Sequence, residues 1–155
     1  MRIAIVAVAQ RPPRWAEDAC ADYLARLPGD FAPRVIEVKP EPRDGRPVER
    51  VLAAEAQRLR AAIPPGYAVV VLDERGKEMT TRALAQWLRE NRDAAQPVAF
   101  VIGGPDGIDA EFKRSARLQL RLSALTLPHA LARVVLAEQL YRVWSILAHH
   151  PYHRD

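Results

Sequence analysis

Short, unbroken apolar runs separated by helical stretches constrain this chain more than any other feature. Residues 2–9 read as a buried strand, and Tyr67-Ala68-Val69-Val70-Val71-Leu72 and Val98-Ala99-Phe100-Val101-Ile102 repeat the pattern. A strand with one wet face alternates apolar and polar residues. A continuous apolar strand is covered on both faces, as in a parallel sheet between helical layers. Val35-Ile36-Glu37-Val38 is a shorter candidate strand, and in Arg117 to Leu122 the leucines at 118, 120 and 122 alternate with Gln119 and Arg121.

Between these runs the spacing turns helical. Trp15, Ala19, Tyr23 and Leu27 lie on one face of a helix stopped by Pro28-Gly29, and Val48 to Ile63 forms another, stopped by Pro64-Pro65-Gly66. Thr80 or Thr81 caps a third helix, which carries Leu84, Trp87 and Leu88. A final helix runs from about Pro128 to His149. The Tyr67–Leu72 strand is expected to break at Asp73-Glu74-Arg75-Gly76. The aperiodic loop from Lys39 to Pro47, with three prolines and a glycine, is expected to be mobile. No repeat or linker divides the chain, so residues 1–155 read as a single α/β domain with a mostly parallel sheet and helices on both faces.

At 155 residues such a chain can bury a sizeable core. No stretch approaches the roughly eighteen apolar residues that span a bilayer, so no membrane partner is expected. The apolar start is too short for a signal peptide and runs straight into Gln10-Arg11-Pro12-Pro13-Arg14. Cys20 is the only cysteine, which excludes an intrachain disulfide and agrees with a reducing cytoplasm. The formal charge of +4 permits an acidic partner. However, only three of the 23 basic residues are lysine, a bias that a genome rich in G and C also produces.

Four segments carry candidate chemistry. Gly103-Gly104-Pro105-Asp106-Gly107 follows a buried strand and is expected to open a helix, with Pro105 in its first turn. It matches neither phosphate-binding glycine motif, so it is either a ligand-approach loop or a tight structural turn. Leu122 to Leu127 is an almost apolar loop before a helix. It could offer main-chain groups to a flat heterocycle, or Thr126 could simply cap the helix, with Pro128 in the first turn. The last helix is apolar nearly all round, through Leu131, Val134, Val135, Leu136, Leu140, Val143, Trp144, Ile146 and Leu147. It needs burial on more than one side, which points to a homodimer. Glu138 and Arg142 stand four apart on it, the acid first, as a helical ion pair.

The chain ends in Pro151-Tyr152-His153-Arg154-Asp155. His149, His150 and His153 lack metal-ligand spacing, because Pro151 breaks the helical phase and only Asp155 could add a carboxylate. No metal is therefore expected. A frayed tail is the plain alternative, yet Tyr152, His153 and Arg154 bring a stacking ring, a titratable ring and a bidentate donor together.

With these four segments in order, the chain resembles the SPOUT-class methyltransferases that modify a pseudouridine of large-subunit ribosomal RNA at N3, the ribosomal RNA large subunit methyltransferase H family. The anchors are Ile102–Gly107, Leu122–His129, Glu138-Gln139-Leu140-Tyr141-Arg142 and Pro151–Arg154, and the likeness extends over the whole chain. Leu125 and Val143 are mild departures. The resemblance implies a C-terminal trefoil knot, an exception to the rule against threaded chains. It also implies an S-adenosylmethionine site from the loop after Leu72, the Gly103-Gly104 turn and Leu122, Ser123, Ala124, Leu125, Thr126 and Leu127.

For methyl transfer to an imide nitrogen, the protein must align the nitrogen, remove its proton and stabilise the charge spread over the ring. Arg142 and Arg154 suit the charge, His129 or His153 the proton, and Tyr152 the stacking. The implied partner is 23S ribosomal RNA within the ribosome, with the tail of one subunit completing the site of the other. A non-catalytic dimeric protein that binds RNA or an adenosyl ligand is the alternative.

Overall fold

The computed structural model describes residues 1–9 and 11–154. Ten elements follow in order: β1 (Ile3–Val8), α1 (Arg14–Ala25), β2 (Arg34–Val38), α2 (Val48–Ala62), β3 (Ala68–Glu78), α3 (Thr81–Asp93), β4 (Val98–Ile102), α4 (Ala110–Ser115), β5 (Leu118–Arg121) and α5 (His129–Leu147). The strands form one sheet in the order β2-β1-β4-β3-β5, and every neighbouring pair is parallel. All strand C-termini therefore meet at one edge, where ligands gather in open α/β sheets.

The apolar runs explain the layers. Successive side chains point to opposite faces, so Ile3, Ile5 and Ala7 enter one core while Ala4, Val6 and Val8 enter the other. Phe100 and Val98 join the first with Leu84 and Leu88 of α3 and Leu136 and Leu140 of α5. Val101 and Ala99 join the second with Leu59 of α2 and Phe112 of α4. Both faces are covered, as the continuous strands required. No helix among the described residues is long and apolar enough to cross a membrane.

Several local expectations change. β3 does not break at Asp73–Gly76 but continues to Glu78, with a shift in register against β5 between Leu72 and Lys77. Gly76 makes this possible: a Cβ there would stand 2.7 Å from the Gln119 carbonyl carbon. The polar loop at 39–47 is tied down rather than loose. Glu41 pairs with Arg46 and Arg58, its N–H donates to Glu55 Oε2 at 3.1 Å, and Arg43 pairs with Asp106 at 2.7 Å. Thr80 is the α3 cap, accepting from the Ala83 N–H at 3.1 Å, while the Thr81 hydroxyl donates to Gln139 of α5 at 2.7 Å.

Candidate active site

Two loops, after β4 and β5, meet the middle of β3, which stands where the sequence predicts a loop after Leu72, and together they line a cavity of about 450 Å³. Leu72, Gly103, Gly104, Leu122, Ser123, Leu125, Thr126 and Leu127 line it; Ala124 is exposed and does not. The leucines form an apolar wall, as a flat heterocycle requires.

The turn at 103–107 is not a helix start. The Gly107 N–H donates to the Gly104 carbonyl at 3.0 Å, so Pro105 sits inside a closed turn, and α4 begins only after Asp109. Asp109 caps that helix, accepting from the Phe112 N–H at 3.0 Å. Gly103 also has a structural reason to be glycine, because a Cβ would lie 2.6 Å from the Gly107 oxygen.

Thr126 does not cap α5. Pro128 precedes the helix rather than occupying its first turn, and no side chain caps it. The first turn of α5, whose His129 and Ala132 line the cleft, therefore has no side-chain cap among the described residues and carries the positive end of the helix dipole.

Charged groups that the sequence reading did not single out also line the cleft. Lys113 pairs with Asp73 at 3.0 Å, and Arg121 donates to Glu78 at 2.9 Å while its Nε is buried without a hydrogen-bond partner among the described residues. No motif marks them. The only signal was the charge cluster after Leu72, which was read as a strand break.

Asp73 carries a pH prediction. Burial raises its carboxyl pKa, but hydrogen bonds from Lys113 and the Arg75 N–H outweigh burial and hold it below the ordinary 3.8. A depressed pKa contributes stability that is complete above the unfolded value and is lost as pH falls through the folded one. Asp73→Asn should therefore lower stability by about 1 kcal/mol at neutral pH, and urea midpoints should show the gap closing as pH falls below the ordinary carboxyl range.

The remaining sequence-predicted residues divide into two groups. His129 is exposed at the start of α5 and lines the cleft. Arg142, Tyr152 and His153 gather toward the other end of α5, about 20 Å along the axis at 1.5 Å per residue. There the Arg142 Nε donates to Glu138 at 2.9 Å, and its guanidinium lies 4.8 Å from the Tyr152 ring centroid. Arg142 Nη1 is 3.3 Å from His153 Nδ1, and the Tyr152 hydroxyl donates to Glu138 at 3.0 Å. The Glu138 hydrogen bond raises the Arg142 pKa; burial followed by Glu138 raises that of Tyr152, which keeps its phenol proton. Arg154 is exposed. Within one chain Arg142, Tyr152 and His153 thus lie away from the cleft. Among the described residues no group of His, Cys, Asp and Glu is placed to hold a metal ion, and Asp155 lies outside them.

Comparison with known proteins bears on the whole chain. A family model described as a predicted SPOUT methyltransferase matches residues 1–153. The ribosomal RNA large subunit methyltransferase H of Bordetella pertussis is 52% identical over 155 residues, covering 99% of each chain. That of an Acidovorax species is 53% identical and covers 100% of both. A solved probable methylase family protein from Haemophilus influenzae shares the fold, with a TM-score of 0.59 at 11% identity, over 99% of this chain and 70% of that one.

Proposed function

The chain belongs to the SPOUT methyltransferase family, and from that premise we propose that it methylates N3 of a pseudouridine in 23S ribosomal RNA, acting on the assembled ribosome in the cytoplasm. Its methyl donor is S-adenosylmethionine, and its substrate class is large-subunit ribosomal RNA. The finer reading rests on the order of the four motifs and on the cleft at the strand ends.

The cleft suits this donor. Its volume falls in the range of small-molecule sites, leucines offer a wall for adenine, and the uncapped α5 start and the open Arg121 Nε offer donors to a carboxylate. When bound, S-adenosylmethionine supplies a methyl carbon already activated by a positive sulfur. Leu72, Gly103, Gly104 and the 122–127 loop hold it in this reading, and the loops that do so form a trefoil knot within one domain, residues 1–155.

The separation of His129 from Arg142, Tyr152 and His153 is the observation that carries the dimer. Two α5 helices packed antiparallel about a two-fold axis bring the tail end of one beside the cleft of the other. The outward side of α5 suits that contact: Leu131 is exposed, and Val134 and Val135 are only half-buried. In the joined site, His129 or the partner's His153 takes the N3 proton. Arg142 and Arg154 of the partner subunit fork onto the ring oxygens where negative charge develops, and the partner's Tyr152 stacks on the base.

The test is methyl transfer from tritium-labelled donor to ribosomes from cells lacking the protein, with the modified nucleotide mapped. The expected product is one N3-methylpseudouridine in the large-subunit RNA. Binding of donor without transfer, or transfer at another position, overturns the reading.

A further inference from the structure

A second cavity, of about 310 Å³, lies beside the first along the same sheet edge. The two share Ile102, Pro105, Asp106 and His129 as a wall. The second opens where β1 and β4 lie side by side. From β1 the chain leaves outward to β2 through α1 on one face. From β4 it leaves in the opposite direction, past β3 to β5, through α4 on the other face. Neighbouring strands whose connections part in this way make a crevice, the usual ligand position in an open α/β sheet.

Its polar groups are specific. Arg133 lines the cavity with a side chain only 10% exposed; one guanidinium nitrogen donates to Glu37 at 2.9 Å, and the other, Nη1, is buried with no partner among the described residues. From the α2 side comes Glu55, 6% exposed, which accepts one hydrogen bond, from the Glu41 N–H. The Arg43–Asp106 pair, both residues lining the cavity, ties the 39–47 loop to the turn after β4. Ala7, Val8, Val51 and Pro105 supply apolar walls. An open buried donor near a desolvated carboxyl calls for a ligand. Three arginines line the space beside Glu41, Glu55 and Asp106, but Arg43 is paired with Asp106 and Arg133 with Glu37, so a phosphate would meet the Glu55 carboxyl as like charge. A neutral ring with a carbonyl and an N–H on its edge satisfies both groups.

We infer that this cavity receives the acceptor base, with Arg133 donating to a ring carbonyl and Glu55 accepting from the N1–H that distinguishes pseudouridine from uridine. The inference rests on the reading of the chain as a pseudouridine methyltransferase and adds how that substrate is told from its isomer. Uridine presents a C5–H at the corresponding place, while both bases share the N3 imide and its two carbonyls. The shared wall lets N3 face the donor cleft while N1 faces Glu55. Burial raises the Glu55 carboxyl pKa, the Glu41 N–H opposes this and Asp106 adds to it, so a further N–H donor relieves a carboxyl already short of solvation.

The test compares ribosomes carrying pseudouridine or uridine at the target, the latter from cells lacking the synthase that makes it. Wild type should favour pseudouridine in kcat/KM by roughly thirtyfold, because uridine leaves a buried acceptor unpaired. Glu55→Leu should bring that ratio near one, whereas Glu55→Gln, which keeps an acceptor oxygen, should largely preserve it. Both should bind S-adenosylhomocysteine as wild type does. A purely structural Glu55 would change rates on both substrates and leave the ratio alone. An unchanged ratio in Glu55→Leu, no preference in wild type, or lost S-adenosylhomocysteine binding each overturns the inference. A second arm follows NMR shifts on adding pseudouridine or uridine nucleoside to protein loaded with S-adenosylhomocysteine. Pseudouridine should shift Ala7, Ala130 and the Arg133 guanidinium more than uridine does, and shifts elsewhere, or none, overturn the pocket. If wild type transfers no methyl to ribosomes yet those shifts appear, the enzymatic reading falls and the pocket stands.

Discussion

An Arg142→Ala chain and an Ala132→Phe chain, each nearly inactive alone, should recover roughly a quarter of wild-type transfer when they are co-assembled. Ala132 is half-buried on α5 and lines the cleft proposed for the donor, so a phenyl ring there would fill that space. Arg142 lies nearly three turns further along, held by Glu138 and stacked over Tyr152. If each site takes its cleft from one subunit and its tail from the other, a mixed dimer has one doubly damaged site and one intact site. Random pairing makes about half the dimers mixed, hence the fraction. Arg142→Ala alone should cost at least about a hundredfold in kcat, as expected when a charge-stabilising group is removed. S-adenosylhomocysteine affinity, read by calorimetry, should remain. No recovery on mixing, with both variants folded and dimeric, would mean that each chain uses its own tail or none.

The layered sheet was legible because burial on both faces leaves a composition that local rules cannot disguise: Ile3–Val8 and Val98–Ile102 have no polar position at all. The helices were legible from spacing and proline stops. The misreadings share a cause. Asp73, Glu74 and Arg75 look like a turn by residue type, yet β3 runs through them because β5 provides backbone partners beyond Leu72, at Lys77 and Glu78. Pro105 looks like a helix start, yet the Gly104–Gly107 hydrogen bond closes the turn first. The loop at 39–47 has no period, but Glu41 finds Arg58 on α2 and Asp106 catches Arg43. Each outcome depends on a partner distant in sequence, which a local reading does not see.

The same limit governs the site. Its glycine turn and leucine loop could be read as segments, and they converge on one cleft. Arg133 and Glu55 could not: an arginine in the apolar last helix and a glutamate in α2 look like solvent-facing charges until the fold buries them. The tail residues were visible as a chemical set, but the return of Tyr152 and His153 onto Glu138 and Arg142 appears only in three dimensions.

Gly76→Val should separate β5 from β3 and, through that, abolish donor binding. A Cβ at this position would meet the Gln119 carbonyl carbon and oxygen at 2.7 Å and the Leu120 carbonyl carbon at 2.8 Å. These are backbone atoms of the neighbouring strand, so no rotamer change relieves the clash and the strands themselves must part. Overpacking of this kind costs about 3 kcal/mol, and a branched side chain adds to it. The consequence is local because β5 is an edge strand of four residues whose only sheet partner among the described residues is β3. The 122–127 loop continues directly from it, so a displaced β5 carries one wall of the cleft away from Gly103 and Gly104. Urea unfolding should show the loss in stability, and calorimetry should show S-adenosylhomocysteine affinity falling by more than about tenfold under conditions where the chain remains folded. Gly29→Ala is the matched control: nothing lies within 4 Å of its Cβ, and both quantities should stay near wild type. If Gly76→Val weakened the fold but left affinity intact, the cleft would not depend on the β3–β5 seam, and the donor would have to be held by the Gly103–Gly107 turn and α5 alone.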